Sequence, residues 1–361
     1  MDRDPGVEDD GIIQGFRYNL HNYGIQDKGT FYLNFRRRHG FHSSWKGSIS
    51  FLYHRRHNTS HWTLLHKDIT RERGEVMKRK RVNKFLTYLF AILIFMWTIA
   101  PMAWLFISAI SPHRELISSK MGWFPHSPTL SNFKDLFNFH QDIGERFVYS
   151  LRNSLIVAGG VTLIGLIFGT MAAYALARFD FKGKNEIMIG MLLSRLLPSI
   201  ALLIPFFVMV IYVSRVFNLY DTKLNLIIIY NSFILGFVIW IMKGYFETIP
   251  QELEEAALID GCSPFEAFMK VILPISLPGL VATGIFTFLM AWDEFLFALV
   301  FTRTKNAMTV PMFIATVGSQ YITDYEKIAA AGFIGGIIPV LIALLFQKYI
   351  VKGILAGSVK G

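Results

Sequence analysis

Residues 247–268 read ETIPQELEEAALIDGCSPFEAF and lie between two long apolar runs. Six acids fall in this stretch of a chain whose formal net charge is +10. Its punctuation predicts two short helices. Thr248 and Gln251 fit an S/T-x-x-E/Q capping box, and Pro250 falls where a first helical turn tolerates a missing N–H. A helix is expected through QELEEAALID, ending before Gly261, the residue type that best adopts the left-handed C-terminal cap. Ser263-Pro264-Phe265-Glu266 then reads as a second capping box with proline at its first helical position. Leu253, Ala256, Ala257 and the aromatic pair Phe265 and Phe268 are expected to share one apolar face ringed by acids. On these residues alone the knob is either a rigid docking surface or an ordinary solvated loop.

The flanks of this stretch set the fold class. A membrane-crossing helix needs about 20 mostly apolar residues. Six runs qualify: 86–110, 154–177, about 187–213, 224–242, about 275–301 and about 328–351. No succession of alternating strands competes with them, so the expected class is an all-α membrane protein of six spans. Bulk composition agrees, with 53% hydrophobic residues, 17% charged residues and a mean hydropathy of +0.40. In span two, Gly159, Gly160, Gly165 and Gly169 give the small-residue spacing that suits close helix approach.

The basic charge is concentrated at one end. Residues 1–85 hold 17 Lys and Arg against 9 Asp and Glu. MKRKRVNK, residues 77–84, stands just before the first span and predicts a cytoplasmic N-terminal flank; six spans then return the C-terminus to the same side. That orientation makes 247–268 a cytoplasmic loop. The charge abuts a membrane span, which accounts for it without a nucleic-acid partner. Residues 1–76 show no sustained periodicity and hold His54, His57, His61 and His66 at irregular spacing without a metal-ligand pattern. This segment reads as a disordered tail or as an over-extended gene start, with the membrane domain at 77–361. The single cysteine, Cys262, excludes a disulfide framework and a cysteine-rich metal site. No G-x-x-x-x-G-K-[ST] loop, HExxH or GxSxG occurs. No catalytic residue, metal or cofactor is expected.

The spacing within the acidic loop resembles a known family. Glu255-Ala256-Ala257, three residues, Gly261, nine residues, then Val271-Ile272-Leu273-Pro274 is similar to the EAA motif of ABC importer permeases, with Val271 in place of isoleucine. AAYALARFDFKGKN (172–185), LLPSIALLIPFF (196–207), AWDEFLFALVFT (291–302) and QKYIVKGILAGSVKG (347–361) extend the resemblance to about 80–361. They look like the maltose-type carbohydrate-uptake permeases, most like the six-span second subunit. Gly236 departs from the proline common there.

The resemblance implies the type I ABC importer permease fold, pairing with a second homologous permease, ABC ATPase subunits beneath, and an extracytoplasmic sugar-binding protein. It also implies a cell membrane location. The loop 247–270 becomes an ATPase-coupling helix, with Glu255, Ala256, Ala257, Asp260, Gly261 and Pro274 as coupling residues. The tail 353–361 is expected to reach the ATPase.

Charges within spans need partners or water. Arg195 and Glu294 form the expected pair, lining the path or bracing the bundle, with Asp293 nearby. A sugar presents an apolar face and many hydroxyls, so Tyr230, Asn231, Phe233 and Trp292 are candidate path residues, or packing residues. The loop 125–139 is expected to form a turn and an amphipathic helix capped by Ser131. Two other classes stay open on the residues: a secondary transporter coupled through Arg195, Asp293 or Glu294, and a membrane enzyme.

Overall fold

The computed structural model describes residues 59–118, 122–320 and 324–358, with side chains described within 84–118, 122–318 and 324–349. The chain divides into two units, 1–91 and 92–361. Residues 1–58, with His54 and His57, lie outside the described residues, as do the side chains of His61 and His66. The first helix among the described residues, α1, runs Thr59–Ile110 and therefore begins ahead of Met77.

In the second unit, Pro112 ends the first helical run and starts a single turn, α2 (His113–Leu116). The short α3 (Ser131–Leu136) follows, with Leu130 rather than Ser131 at its cap position; the Thr129 hydroxyl receives the Ser131 amide at 3.1 Å. Buried Asn132 donates to the Ala109 and Ser111 carbonyls at 2.7 and 3.2 Å, so α3 is pinned to the end of α1. Glu115 gathers the loop between them by accepting from the His126 amide at 2.8 Å and the Ser127 hydroxyl at 2.9 Å. These bonds, the His126 amide first, hold its carboxyl below the ordinary range.

The long α4 (Asp142–Arg178) has Asp142 and Glu145 in its first turn and Arg178 in its last, in keeping with the helix dipole. The expected third span is two helices, α5 (Lys184–Ser194) and α6 (Ser199–Phe217). Pro198 breaks the run: it has no N–H to continue the ladder, and the Arg195 and Leu196 amides close tight turns onto Leu192 and Leu193 instead. Then α7 (Lys223–Phe246) starts at Thr222, whose hydroxyl accepts from the Asn225 amide at 3.2 Å. It runs unbroken through Gly236.

The acidic stretch carries α8 (Glu252–Ile259) and α9 (Pro264–Ala267), followed by one π-helical turn, Phe268–Ile272, and α10 (Leu273–Ile275). The fifth span is α11 (Leu277–Trp292), which meets the Pro264–Ile275 segment at a 76° bend. Asp293–Phe295 interrupts the helix before α12 (Leu296–Phe301). The chain ends with α13 (Val310–Gln320) and α14 (Tyr325–Ser358); residues 359–361 of the tail lie outside the described residues. Five helices are long and apolar enough to cross a membrane, or six if the bent pair is one span. The described residues contain no strand.

Helices α4 and α7 pack along each other, and α11 lies against both and against α14. Glycines permit the approach: a Cβ at Gly160 would come within 2.6 Å of Ile227 Cδ1, and one at Gly169 within 2.6 Å of Val238 Cγ1. Gly165 faces Asn231 and Gly159 faces open space, so three of the four glycines form the seam. Val161, Leu226, Ile234, Val238 and Met242 fill the main core. A second cluster joins Ala109, Leu136, Phe147, Phe313 and Ala330 near the α2 end. Side chains also hold the loop after α12. Asn153 donates to the Lys305 and Met308 carbonyls, and the Asp221 carboxylate receives the Arg303 and Thr304 amides.

Candidate functional site

The site is built on the turn between α7 and α11. After Phe246 the chain keeps coiling: the Glu247, Thr248 and Ile249 amides bond back to Lys243, Tyr245 and Phe246. The Thr248 hydroxyl follows them, donating to the Tyr245 carbonyl at 2.7 Å. It thus serves the end of α7 and does not cap α8, whose N-cap residue is Gln251; the first expected capping box is not formed. Pro250 precedes the helix.

The other punctuation holds. Gly261 has φ +88°. The Cys262 amide reaches the Ala257 carbonyl at 3.0 Å and the Gly261 amide reaches Leu258 at 3.1 Å, the two bonds of a Schellman closure. Ser263 and Glu266 form the reciprocal capping box with Pro264 at the first turn, and Lys270 donates to Glu266 at 2.9 Å. Two helices are therefore locked at an elbow from both sides of one glycine.

The apolar face expected on the elbow is divided. Ala257, Ala267 and Phe268 point inward and are buried, whereas Leu253, Leu258, Ile259 and Phe265 are exposed. Ile259 is 86% exposed and Phe265 61%. Glu252, Glu255 and Asp260 are exposed around this apolar tip, and so is Ala256. Pro274 is in α10, exposed, past the π turn. Six of the residues singled out from the sequence thus lie on one elbow: Glu255, Ala256 and Asp260 outward, Ala257 inward, Gly261 at the corner and Pro274 at the exit.

Two residues that sequence reasoning did not single out, Tyr174 and Arg178, grip the elbow from α4. The Arg178 guanidinium Nε lies 3.0 Å from Glu254 Oε2, with the side chains only 6% and 13% exposed. Charge proximity rather than an aligned hydrogen bond joins these two atoms. Arg178 also donates through Nη2 to the Ile249 carbonyl at 2.9 Å, and the Tyr174 hydroxyl donates to Glu254. The Tyr174 ring lies 4.5 Å from that of Phe268 and 5.9 Å from that of Phe246. Tyr174 and Arg178 are four residues apart at a helix end, one above the other on a single face, which is the signal their sequence carried.

The residues expected along a path are not brought together as one site. Arg195 is exposed at the α5–α6 break, its guanidinium carbon 5.0 Å from the Phe237 ring centre. No ion pair joins it to Glu294 among the described residues. Glu294 instead receives the Phe297 and Ala298 amides at 3.0 and 3.3 Å, capping α12 across the helix break. Asp293 closes the end of α11. The Tyr230 hydroxyl, fully buried, faces the Glu294 carboxylate without closing a hydrogen bond. Asn231 donates to the Ile227 carbonyl and leaves its side-chain oxygen unpaired. Trp292 donates to the Gly335 carbonyl on α14 at 3.1 Å and stacks on Phe288, so it is held in packing. Phe233 stacks on Phe297, with centroids 5.1 Å apart. Near the α2 end, His113 Nδ1 is 2.9 Å from buried Glu326, and Asp324 is engaged by Lys327 at 3.0 Å. Their ligand atoms lie within 4.8 Å of one another, but both carboxylates already have protein partners.

Comparison with known proteins bears on this arrangement. Residues 165–355 match the family described as binding-protein-dependent transport system inner membrane component. A trehalose transport system permease protein of Mycobacterium tuberculosis is 37% identical over 267 residues, covering 73% of this chain and 93% of the relative. A diacetylchitobiose uptake system permease protein of Streptomyces coelicolor is 30% identical, covering 79% of this chain and all of the relative. Among solved structures, a bacterial ABC transporter involved in the import of the acidic polysaccharide alginate superposes with a TM-score of 0.59 at 22% identity, over 74% of this chain and 96% of that chain. That likeness concerns the fold.

Proposed function

This chain belongs to the family of binding-protein-dependent transport system inner membrane components, and from that premise we propose that the α8–α9 elbow is its docking point for an ATP-hydrolysing partner. The chain is a multi-pass, membrane-embedded permease subunit of an ATP-driven, binding-protein-dependent sugar importer; it is a transport component and not an enzyme. ATP is hydrolysed by separate subunits. A second homologous permease completes the pathway, and an extracytoplasmic binding protein delivers the sugar. The membrane is a bacterial or archaeal plasma membrane, with both termini and the elbow on the cytoplasmic side.

The observation that carries this reading is the elbow's tip. Its backbone is fixed by a Schellman closure and a capping box, yet Ile259 and Phe265 remain exposed within an acidic rim. Exposed apolar anchors on a preorganised helix fit a partner cleft with an apolar floor, and the rim of Glu252, Glu255 and Asp260 suits a basic border. ATP-driven closure of the partner pair pushes the elbows together and swings the spans from inward-open to outward-open. Differential contact with the two partner states is what couples nucleotide to transport.

The substrate class is a disaccharide or short oligosaccharide, supported by the trehalose and diacetylchitobiose named for two relatives. Tyr230 and Asn231, with buried unpaired polar atoms, and Glu294, which faces Tyr230, are the residues we assign to the path.

The test is reconstitution of the chain with its co-purifying subunits in proteoliposomes. Uptake of a labelled disaccharide should require ATP and an added binding protein. Uptake driven by an ion gradient without ATP would establish the secondary-transporter alternative instead.

A further inference from the structure

We infer that Tyr174, Arg178 and Glu254 form a positioning latch that passes movement of the elbow to α4. This rests on the importer reading above. The need for such a latch follows from how little else attaches α8. Of its apolar side chains only Ala257 is buried, so its apolar hold on the bundle is slight. Covalently, α8 continues α7 on one side and leads through Gly261 to α9 on the other. Among the described residues, the Arg178–Glu254 pair is the ion pair that joins α8 to a membrane-spanning helix.

The latch has three strands. The Arg178 Nε lies 3.0 Å from Glu254 Oε2, its Nη2 donates to the Ile249 carbonyl at 2.9 Å, and the Tyr174 hydroxyl donates to the other Glu254 oxygen. One arginine thus binds the chain just before α8 and a side chain in its first turn. A pair this deeply buried is geometrically demanding: removing one partner leaves the other charge uncompensated. Phe246 and Phe268 pack against the Tyr174 ring, so the latch cannot swivel freely. Its far end is α4, the helix that packs along α7 and against α11 and α13. A push on α8 is therefore delivered to the helix at the centre of the bundle, and not only to the two helices the elbow joins in sequence.

The experiment uses the assembled transporter in proteoliposomes, with uptake and ATP hydrolysis measured together. Glu254→Gln should raise the ATP hydrolysed per sugar imported by about tenfold, with the ATPase still co-purifying. Tyr174→Phe keeps the ring packing and removes one hydroxyl, so it tests the latch even if Glu254→Gln folds poorly. It should raise the ratio about threefold, with chain abundance unchanged and a small fall in thermal midpoint. A brace with only structural work would lower uptake and hydrolysis in proportion, so an unchanged ratio in Tyr174→Phe overturns the latch. The wild-type assay separates the two readings. If the unaltered complex couples ATP to uptake and Tyr174→Phe couples equally well, the latch fails alone. If the unaltered complex imports without ATP, the importer reading fails and the latch with it.

Discussion

Among the described residues, two turns place a glycine in the left-handed region: Gly183 at φ +89° and Gly261 at φ +88°. In both, an added Cβ would meet no atom within 4 Å, so each glycine is required by backbone angle and not by space. The surroundings differ. Gly183 sits between α4 and α5, where the accompanying ion pair, Lys184 with Asp180, leaves the Asp180 side chain 99% exposed. Gly261 is bracketed by a Schellman closure and a capping box, and it projects Ile259 and Phe265 into the open while Glu254 is held below by Arg178. Identical backbone conformations thus serve a plain connector and the elbow proposed to dock a partner. The difference lies in what is anchored behind the glycine and what is presented ahead of it.

Predictions from this contrast run from large to small. The greatest effect is expected from Ile259→Asp, which puts a charge at the centre of the exposed tip. Co-purification of the ATPase should fall about a hundredfold, or roughly 3 kcal/mol of association free energy. Chain abundance in the membrane should not change, because the side chain makes no buried contact. Quantitative pull-down measures the first and immunoblotting the second; retention of the ATPase would erase the functional half of the contrast.

A third glycine sharpens the comparison, since Gly279 is required by space. A Cβ there would lie 2.6 Å from the Tyr245 ring, where α11 passes the end of α7. Gly279→Ala should cost about 2 kcal/mol by overpacking, read as a lowered unfolding midpoint in detergent, whereas Gly244→Ala, with nothing within 4 Å, should not.

Gly183→Ala and Gly261→Ala should each cost about 1 kcal/mol through strain at positive φ, seen as similar drops in thermal midpoint. Only Gly261→Ala should lower sugar imported per ATP. Equal uncoupling by both would show that the two turns do the same work. The smallest effect belongs to Lys184→Ala, which breaks an exposed pair and should shift stability by at most about 0.5 kcal/mol.

The sequence carried those parts of the fold that arise from local rules. The apolar runs announced the spans, Gly261 its left-handed corner, and Ser263 with Glu266 their reciprocal cap, because each depends on residues a few positions apart. The same rules misread Thr248. A hydroxyl at the junction of two helices has two candidate carbonyl and amide partners, and continued coiling of α7 gave it the Tyr245 carbonyl. Span three was read as one run because apolar composition is blind to Pro198 as a stop when apolar residues resume at once. The pairing of Arg195 with Glu294 followed from the cost of buried charge, yet each found a nearer solution: a phenylalanine face for one, the free amides of α12 for the other. The grip of Arg178 on Glu254 joins residues far apart in sequence, and no periodicity reports a contact of that separation.

The chain contains one cysteine, and it is Cys262, half-buried beside the corner glycine, its amide tied to Ala257. This chain therefore carries a unique thiol at the corner of the elbow. A fluorophore or nitroxide attached there reports on a single location within this chain. Quenching or spin mobility at that label, in the unmodified sequence, would follow the proposed docking of the elbow in real time as nucleotide is added and withdrawn.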